Sequence, residues 1–177
     1  MEKFIFLDVD GVLNNSKHTK KLHNRYNISF IAHEMPFDPK CLKRFSKLVH
    51  ATGAKIVLTS SWRKDLKCET VLKARLKEYG IKIHDMLPVN THSSERGATI
   101  KQWLLDNTEV DKETIYADNV QYTTKITYNV EFIILDDYSY DLYDNFDSNH
   151  IIMVNPNRGL TNIDMFKGIY KLNSEGD

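Results

Sequence analysis

The sequence predicts an α/β fold: a doubly wound three-layer sandwich with a central, mostly parallel five-stranded sheet and a minimal cap. Short apolar runs of strand length alternate along the chain with stretches of helical periodicity, as in parallel sheets with helical crossovers. Two of the apolar runs end in acidic pairs, and a third ends in hydroxyl side chains. The length of 177 residues suits one domain, so we assign residues 1–177 to a single unit.

Five apolar runs predict the strands. The first and the fourth, 4–7 and 132–135, contain no polar residue, which is typical of strands buried on both faces of a parallel sheet. The other three runs cover 55–60, 81–84 and 150–154.

Helical patterns occupy most of the intervals between these strands. They combine apolar residues three and four positions apart with residues that favour helix ends: proline at the first position, glycine after the last, and a hydroxyl at the cap. We predict helices from Pro39 with Gly53 as the stop, over 71–79 with Gly80 as the stop, from near Arg96 with Ser93 or Ser94 as the cap, over 138–146, and after a Thr161 cap.

Two segments fit no strand or helix of this scheme. The segment at about 14–36 is longer than an ordinary strand-to-helix loop, and it carries the basic residues Lys17, Lys20, Lys21 and Arg25. We interpret it as a short flap or cap beside the site. The segment at about 108–130 is rich in threonine and tyrosine, which favours extended structure, and we interpret it as a second insertion, such as a hairpin.

Composition and charge exclude several classes of protein. The 24 basic and 24 acidic residues cancel, so any attraction to phosphate must be local. No apolar run has transmembrane length. Cys41 and Cys68 lack the spacing of a metal site and fit buried thiols in a reducing compartment. We therefore predict a cytoplasmic protein that does not bind membranes, and no obligate protein partner is evident.

The first strand ends in a pair of carboxylates. Asp8 and Asp10 are two residues apart, so they share one face of a regular strand, and Gly11 allows a sharp turn directly after them. Two carboxylates in one crevice repel each other unless a cation lies between them, and Mg²⁺ suits this place because it prefers oxygen ligands. The alternative is an ordinary strand end followed by an Asp-Gly turn.

The residues around this pair resemble a known family. The run 8–14, Asp-Val-Asp-Gly-Val-Leu-Asn, closely resembles the first motif of the haloacid dehalogenase-like (HAD) phosphatases. The runs 58–63, 96–97, 135–137 and 159–161 look like those of small HAD domains associated with RNA-repair proteins, which are related to polynucleotide 3′-phosphatases. The resemblance covers nearly the whole chain. It departs at the third motif, where most of the family has a lysine and the best candidate here is Arg96, with Lys101 as the alternative.

The resemblance implies roles for the acidic residues. Asp8 would be the nucleophile that receives the phosphoryl group, and Asp10 would be the general acid and base. Asp8, Asp136 and the backbone carbonyl of Asp10 would hold Mg²⁺, while Asp137 would orient the metal or its waters.

Hydroxyl and guanidinium groups would hold the phosphate. Ser60, or Thr59 if the alternation slips by one residue, would donate a hydrogen bond to a phosphoryl oxygen. Arg63 could donate two hydrogen bonds to the phosphate, and Arg96 would add a fixed charge at the start of a helix. Trp62 would either pack within the fold or stack on a base.

Together these residues predict a Mg²⁺-dependent phosphomonoester hydrolase that acts through an aspartyl-phosphate. The short cap and the basic segment favour a nucleotide or a phosphorylated nucleic-acid end as the substrate, because a long strand can reach only an open crevice. Two alternatives stay open: a phosphatase of small metabolites such as sugar phosphates, and a catalytically silent HAD-like scaffold that binds phosphate.

Overall fold

The computed structural model describes residues 1–27, 34, 36–117 and 120–174, without the side chains of 115–117 and 120–123. Within these ranges the strands are β1 (Glu2–Leu7), β2 (Lys55–Leu58), β3 (Ile83–Met86), β4 (Val110–Ala117), β5 (Val120–Tyr128), β6 (Val130–Asp136) and β7 (Ile151–Met153). The helices are α1 (Ser16–Tyr26), α2 (Pro39–Thr52), α3 (Leu66–Lys77), α4 (Arg96–Asn107), α5 (Leu142–Asn145) and α6 (Asn162–Asn173).

The central sheet has five strands in the order β3-β2-β1-β6-β7, and every pairing in it is parallel. This confirms the predicted α/β class. The chain leaves β1 towards β2 on one side and reaches β6 on the other side much later. In such sheets a crevice opens beyond the carboxyl ends of the strands at the point where the strand order reverses. That point lies at the end of β1.

The core consists of two apolar layers, one on each face of the sheet. Ile5 and Leu7 of β1 point into the layer formed with α2, α3 and α6. Phe4 and Phe6 point into the other layer, where both rings contact Trp103 of α4 edge to face. Side chains alternate between the faces of a strand, so the unbroken apolar run of β1 supplies both layers.

Several predicted boundaries differ from the structure. The second strand ends at Leu58, because the chain turns into a short 3₁₀ helix over Ser61–Lys64. The helix predicted over 71–79 is α3, and it begins earlier, at Leu66. The side chain of Asp65 caps it there by accepting hydrogen bonds from the amides of Lys67 and Cys68. The predicted helix over 138–146 is reduced to α5.

The predicted serine cap of α4 is wrong. Ser93 and Ser94 lie in a 3₁₀ turn, and neither caps the helix with its side chain. The amides of Gly97 and Ala98 donate instead to the carboxylate of Asp141, at 2.6 and 2.9 Å. An acidic side chain at this end also complements the helix dipole. A residue that follows β6 therefore fixes the end of the helix that carries Arg96.

The two predicted insertions contain regular structure of their own. Strands β4 and β5 pair antiparallel as a separate two-stranded sheet within the second insertion. The first insertion contains α1, whose start is capped by Asn15 and whose end is closed by Asn27 in the left-handed region. Residues 28–33 and 35 of that insertion lie outside the described part. No described helix is long and apolar enough to cross a membrane.

Candidate active site

Three acidic side chains meet at the carboxyl ends of β1 and β6. The register aligns Leu7 with Leu135, so Asp8 and Asp136 follow at adjacent positions. The amide of Asp8 also donates to the carbonyl of Leu135 at 2.9 Å. Oxygen atoms of Asp8, Asp136 and Asp137 lie within 4.8 Å of one another. The structure thus brings together three of the four predicted metal-binding residues through their side chains.

Arg96, the first residue of α4, reaches into this acidic cluster. Its Nη1 lies 3.2 Å from Oδ1 of Asp8 and forms a second, closer ion pair with Oδ2 of Asp136. The side chain is only 5% exposed, and its guanidinium carbon lies 4.6 Å from the ring centre of Tyr140. Among the described residues, Lys101 has no ion pair with these acids. Arg96 is therefore the cation of this cluster, as its place in the sequence suggested.

The guanidinium of Arg96 faces three carboxylates in this cluster. Burial and the neighbouring negative charges raise the pKa values of all three carboxyl groups. Burial raises the pKa of Asp8 to about 7; the charge of Arg96 opposes this rise, and that of Asp136 adds to it. Burial and the charge of Asp8 raise the pKa of Asp137 to about 6. Burial likewise raises the pKa of Asp136.

These carboxylates carry more negative charge than Arg96 can offset. A divalent cation would supply the missing charge, and carboxylate oxygens at this spacing match the preference of Mg²⁺ for hard oxygen donors. The residues present therefore fit a metal of this kind.

Asp10 occupies a different environment from that of Asp8. Its carboxylate is at the surface, where it accepts hydrogen bonds from Nδ2 of Asn14 at 2.7 Å and from Nε1 of Trp62 at 2.9 Å. The carbonyl oxygen of the Asn14 side chain accepts in turn from the amide of Gly11. The carboxylate is thus held at the mouth of the site by two donors.

Gly11 makes this turn possible. Its φ of 73° lies in the left-handed region, and a Cβ atom built there would come within 2.3 Å of Oδ2 of Asp137. Only a glycine lets the β1 turn approach Asp137 so closely.

The sequence did not reveal that Trp62 contacts Asp10. Trp62 is 2% exposed and its ring centre lies 5.3 Å from that of Phe37, so it packs within the fold and is not available to stack on a base. The sequence carried one signal of this contact: a buried indole N–H needs a hydrogen-bond acceptor. Only the tertiary structure identifies that acceptor as Asp10.

Both candidate hydroxyl groups of the second motif lie beside Asp8. Hydrogen bonding from Ser60 lowers the pKa of Asp8, against the larger effect of burial. Thr59 follows Leu58, which is aligned with Leu7, so Thr59 is the neighbour of Asp8 across the sheet. The Thr59 hydroxyl oxygen is buried and has no hydrogen-bond partner among the described residues. Both residues are therefore close to Asp8, and of the two hydroxyl groups only that of Thr59 has no partner among the described residues.

The comparison with known families agrees with this geometry. A family described as "HAD domain in Swiss Army Knife RNA repair proteins" matches residues 4–165, which is most of the chain. The chain belongs to this HAD family. No match was found among the curated proteins or among the solved structures. HAD domains are in general hydrolases, phosphatases among them.

Within this HAD domain, Arg63 does not have the position predicted for it. Its Nη1 donates to the carbonyls of Thr59 and Ser60, and its Nε donates to the carbonyl of Leu87. Its Nη2 donates to the hydroxyl of Thr91 at 2.8 Å and to the carbonyl of Pro88 at 3.2 Å, so all five N–H groups have acceptors. A guanidinium with these partners has no donor left for a phosphate. Arg63 instead braces the loop that presents the hydroxyl groups of the second motif.

A crevice leads from the acidic cluster of the HAD domain towards α1. A cavity of about 510 Å³ is lined by Asp10, Gly11, Asp137 and Lys20, among others. Lys20 also lines a neighbouring open groove of about 660 Å³, which we call the basic groove; its lining residues are Lys17, Lys20, Lys21, Asn24, Arg25 and Asn157. No side chain of α1 is buried, so the cations predicted to lie in a flap project from an exposed helix beside the acids.

Proposed function

We propose that this HAD domain is a Mg²⁺-dependent phosphomonoester hydrolase that acts through an aspartyl-phosphate on Asp8. We propose further that it acts in the cytoplasm on a nucleotide or on a phosphorylated nucleic-acid end. The observation that carries the proposal is the contrast between the environments of Asp8 and Asp10. Asp8 is buried against Arg96 and two other carboxylates, whereas Asp10 is held at the surface by Asn14 and Trp62.

The two positions suit the two halves of the reaction. In the first half, a carboxylate oxygen of Asp8 attacks phosphorus while Asp10 gives a proton to the leaving oxygen. In the second half, Asp10 takes a proton from the water that attacks the phosphoryl group on Asp8. Its place at the mouth of the crevice lets it reach both the departing alcohol and the incoming water.

The remaining groups offset charge. Arg96 lies between Asp8 and Asp136 and reduces the repulsion between the nucleophile and an anionic phosphate. Asp8, Asp136 and the backbone carbonyl of Asp10 would hold Mg²⁺, with Asp137 beside them. A bound Mg²⁺ supplies positive charge for the phosphoryl oxygens.

The basic groove supports the choice of substrate. Lys20 lines both the acidic crevice and the groove, so the two form one continuous surface. Backbone phosphates of a nucleic acid are held mainly by lysine and arginine, and a strand end in the crevice could place its next phosphates along α1. A sugar phosphate has no further phosphate to use this groove.

A panel of phosphate esters assayed with Mg²⁺ tests the proposal. It contains sugar phosphates, mononucleotides, and oligonucleotides with a 3′- or a 5′-phosphate. We expect the highest kcat/KM on a nucleotide or an oligonucleotide end. Higher values on sugar phosphates would favour the metabolite phosphatase. No turnover by folded protein with Mg²⁺, Mn²⁺ or Co²⁺ would favour the silent scaffold.

The variant Asp8→Asn tests the nucleophile. We expect it to abolish turnover, because an amide cannot carry the phosphoryl group. Asp85→Asn is the matched control, since Asp85 is bonded to Trp103 outside the acidic cluster. Turnover that persists in Asp8→Asn would place the nucleophile elsewhere.

A further inference from the structure

Two tyrosines follow the acidic pair of β6 and lie beside the acidic cluster. Tyr138 is 61% exposed, and the centre of its ring lies 4.7 Å from that of Tyr140, with the planes at 62°. In this edge-to-face arrangement the ring of Tyr140 supports the ring of Tyr138, which stays open to solvent. Neither ring belongs to the two apolar layers of the core.

The position of Tyr140 is fixed by the site itself. Its ring lies under the guanidinium of Arg96, at 4.6 Å, and Arg96 in turn pairs with Asp8. Its backbone φ of 42° is in the left-handed region, which side chains other than glycine rarely adopt. Strained backbone of this kind is typical of positions that a site holds in place for binding or catalysis.

The backbone of Tyr138 is tied to the same cluster. Tyr138 directly follows Asp136 and Asp137 in the chain, and its amide donates to Oδ1 of Asp136 at 3.0 Å. A chain of contacts therefore links the Tyr138 ring, through Tyr140 and Arg96, to the carboxylate of Asp8. The exposed ring is therefore two contacts away from Arg96, the residue that pairs with Asp8.

We infer that Tyr138 stacks on the nucleobase of the nucleotide that bears the phosphate, with Tyr140 holding its ring in place. This inference rests on the proposed function and adds a subsite to it. Stacking suits a site that accepts more than one base, because every base has an aromatic face. A sugar phosphate or an abasic end has no such face, so the subsite would also select against them.

Matched substrates with and without a base test the inference. The substrates are a 3′-phosphorylated oligonucleotide, the same oligonucleotide with an abasic terminal nucleotide, and adenosine 3′-monophosphate. We expect Tyr138→Ala to lower kcat/KM on the base-bearing end by about 5- to 150-fold, the range of base stacking on an aromatic side chain. The abasic end should change by less than about twofold.

Two further variants separate stacking from structure. Tyr138→Phe keeps the aromatic ring and should retain the activity of the parent protein on all three substrates. Tyr170→Ala removes another exposed tyrosine ring, on α6, and should have no effect on any of them. Equal losses on base-bearing and abasic ends in Tyr138→Ala, or no loss at all, would overturn the inference. A loss on the oligonucleotide and not on the mononucleotide would also overturn it, because both substrates carry a base on the phosphorylated nucleotide.

A binding measurement keeps this test independent of turnover. Titration calorimetry with the Asp8→Asn protein compares adenosine 3′-monophosphate with ribose 3-phosphate. We expect tighter binding of the nucleotide, and loss of that difference when Tyr138→Ala is added. Equal affinities for the two ligands in Asp8→Asn would reject the subsite even if the parent protein hydrolysed neither of them. Failure of the proposed chemistry is thus distinct from failure of the inference.

Discussion

The acidic centre and the rim of the crevice are built in opposite ways. In the centre, Asp8, Asp136 and Arg96 are all buried, and each interacts closely with the others. At the rim, Asp10 and the cations of α1 are exposed, and Asp10 is positioned by single hydrogen bonds from its neighbours. The centre is thus fixed by the sheet, while the rim is fixed by turns and one surface helix.

This difference separates two tasks. Groups whose charges interact at close range in a buried site affect the reaction itself, because electrostatic interactions are strongest there. Exposed groups act over longer distances, are screened by salt, and affect which substrates bind. Changes in the centre should therefore abolish the proposed activity, whereas changes at the rim should redistribute it among substrates.

The largest effect is expected from Arg96→Met. It removes the guanidinium that pairs with Asp8 and Asp136, so kcat should fall by about 100- to 1,000-fold or more. It also leaves buried carboxylates without their partner, which should cost about 3–5 kcal/mol in the free energy of unfolding. Lys101→Met, on the same helix, is the control. Steady-state assays and urea unfolding check both variants, and a greater loss of kcat in the Lys101 variant would move the third-motif role to that residue.

A smaller and more selective effect is expected from Trp62→Phe. This change removes the indole N–H that holds Asp10 and keeps an aromatic ring against Phe37. We expect kcat on alkyl phosphates to fall by about 10- to 100-fold with little change in KM, since a displaced general acid loses part of its effect. An aryl phosphate with a good leaving group needs no proton in the first half of the reaction, so its kcat/KM should be almost unaffected, although the second half, which all esters share, also slows.

Trp103→Phe supplies the matched control for that measurement. It also removes an indole N–H bonded to a carboxylate, that of Asp85, outside the crevice. Equal losses of kcat/KM on alkyl and aryl esters in Trp62→Phe would show that Trp62 supports the fold and does not position the acid.

The basic groove should influence binding alone. Replacing Lys17, Lys20, Lys21 and Arg25 with alanine should raise KM for a 3′-phosphorylated oligonucleotide and leave a small aryl phosphate almost unchanged. For each lost phosphate contact, the slope of log affinity against log salt should flatten by about 0.7. A control with the same change in charge replaces Lys43, Lys47, Lys67 and Lys77, which are exposed on α2 and α3. Equal losses on both substrates would show that α1 is a structural flap, and would favour small phosphate esters as the substrates.

The smallest effect concerns stability without metal. Asp8 and Asp137 have pKa values raised from 3.8 to about 7 and about 6, so in the folded state they hold protons that the unfolded chain releases. Their contribution to stability is present below pH 3.8 and lost as the pH rises towards 7. In EDTA, the melting temperature should therefore fall across this range, by about 2–4 °C for each kcal/mol lost. Added Mg²⁺ should reduce the fall, and so should Asp8→Asn; a melting temperature that rises over the same range would contradict the charge balance of the cluster.

The features that the sequence predicted are those set by local patterns. The apolar run of β1 required burial on both faces, and parallel pairing then brought the acids at the ends of β1 and β6 together. Arg96 was identified by its place at a helix start. The family match over 4–165 confirms the predicted resemblance.

The features that the sequence did not reveal depend on contacts between distant segments. Nothing local shows that Arg63 donates to the carbonyl of Leu87, so a phosphate ligand and a loop brace look the same in sequence. The cap of α4 likewise comes from Asp141, more than 40 residues further along the chain, and not from a nearby serine. Long polar side chains and helix ends find partners by three-dimensional proximity, which strand and helix patterns do not encode.

The pairing of β1 with β6 has a consequence for folding. Asp8 and Asp136 are 128 positions apart in the chain, and contacts of such long range form slowly because closing the loop between them costs entropy. Until residues 130–136 arrive, β1 has an open edge of apolar residues, the kind of edge at which chains associate wrongly. The acidic cluster is complete only once that edge is closed. Recovery of turnover during refolding would therefore lag behind the formation of helices, and would mark the moment at which the sheet closes.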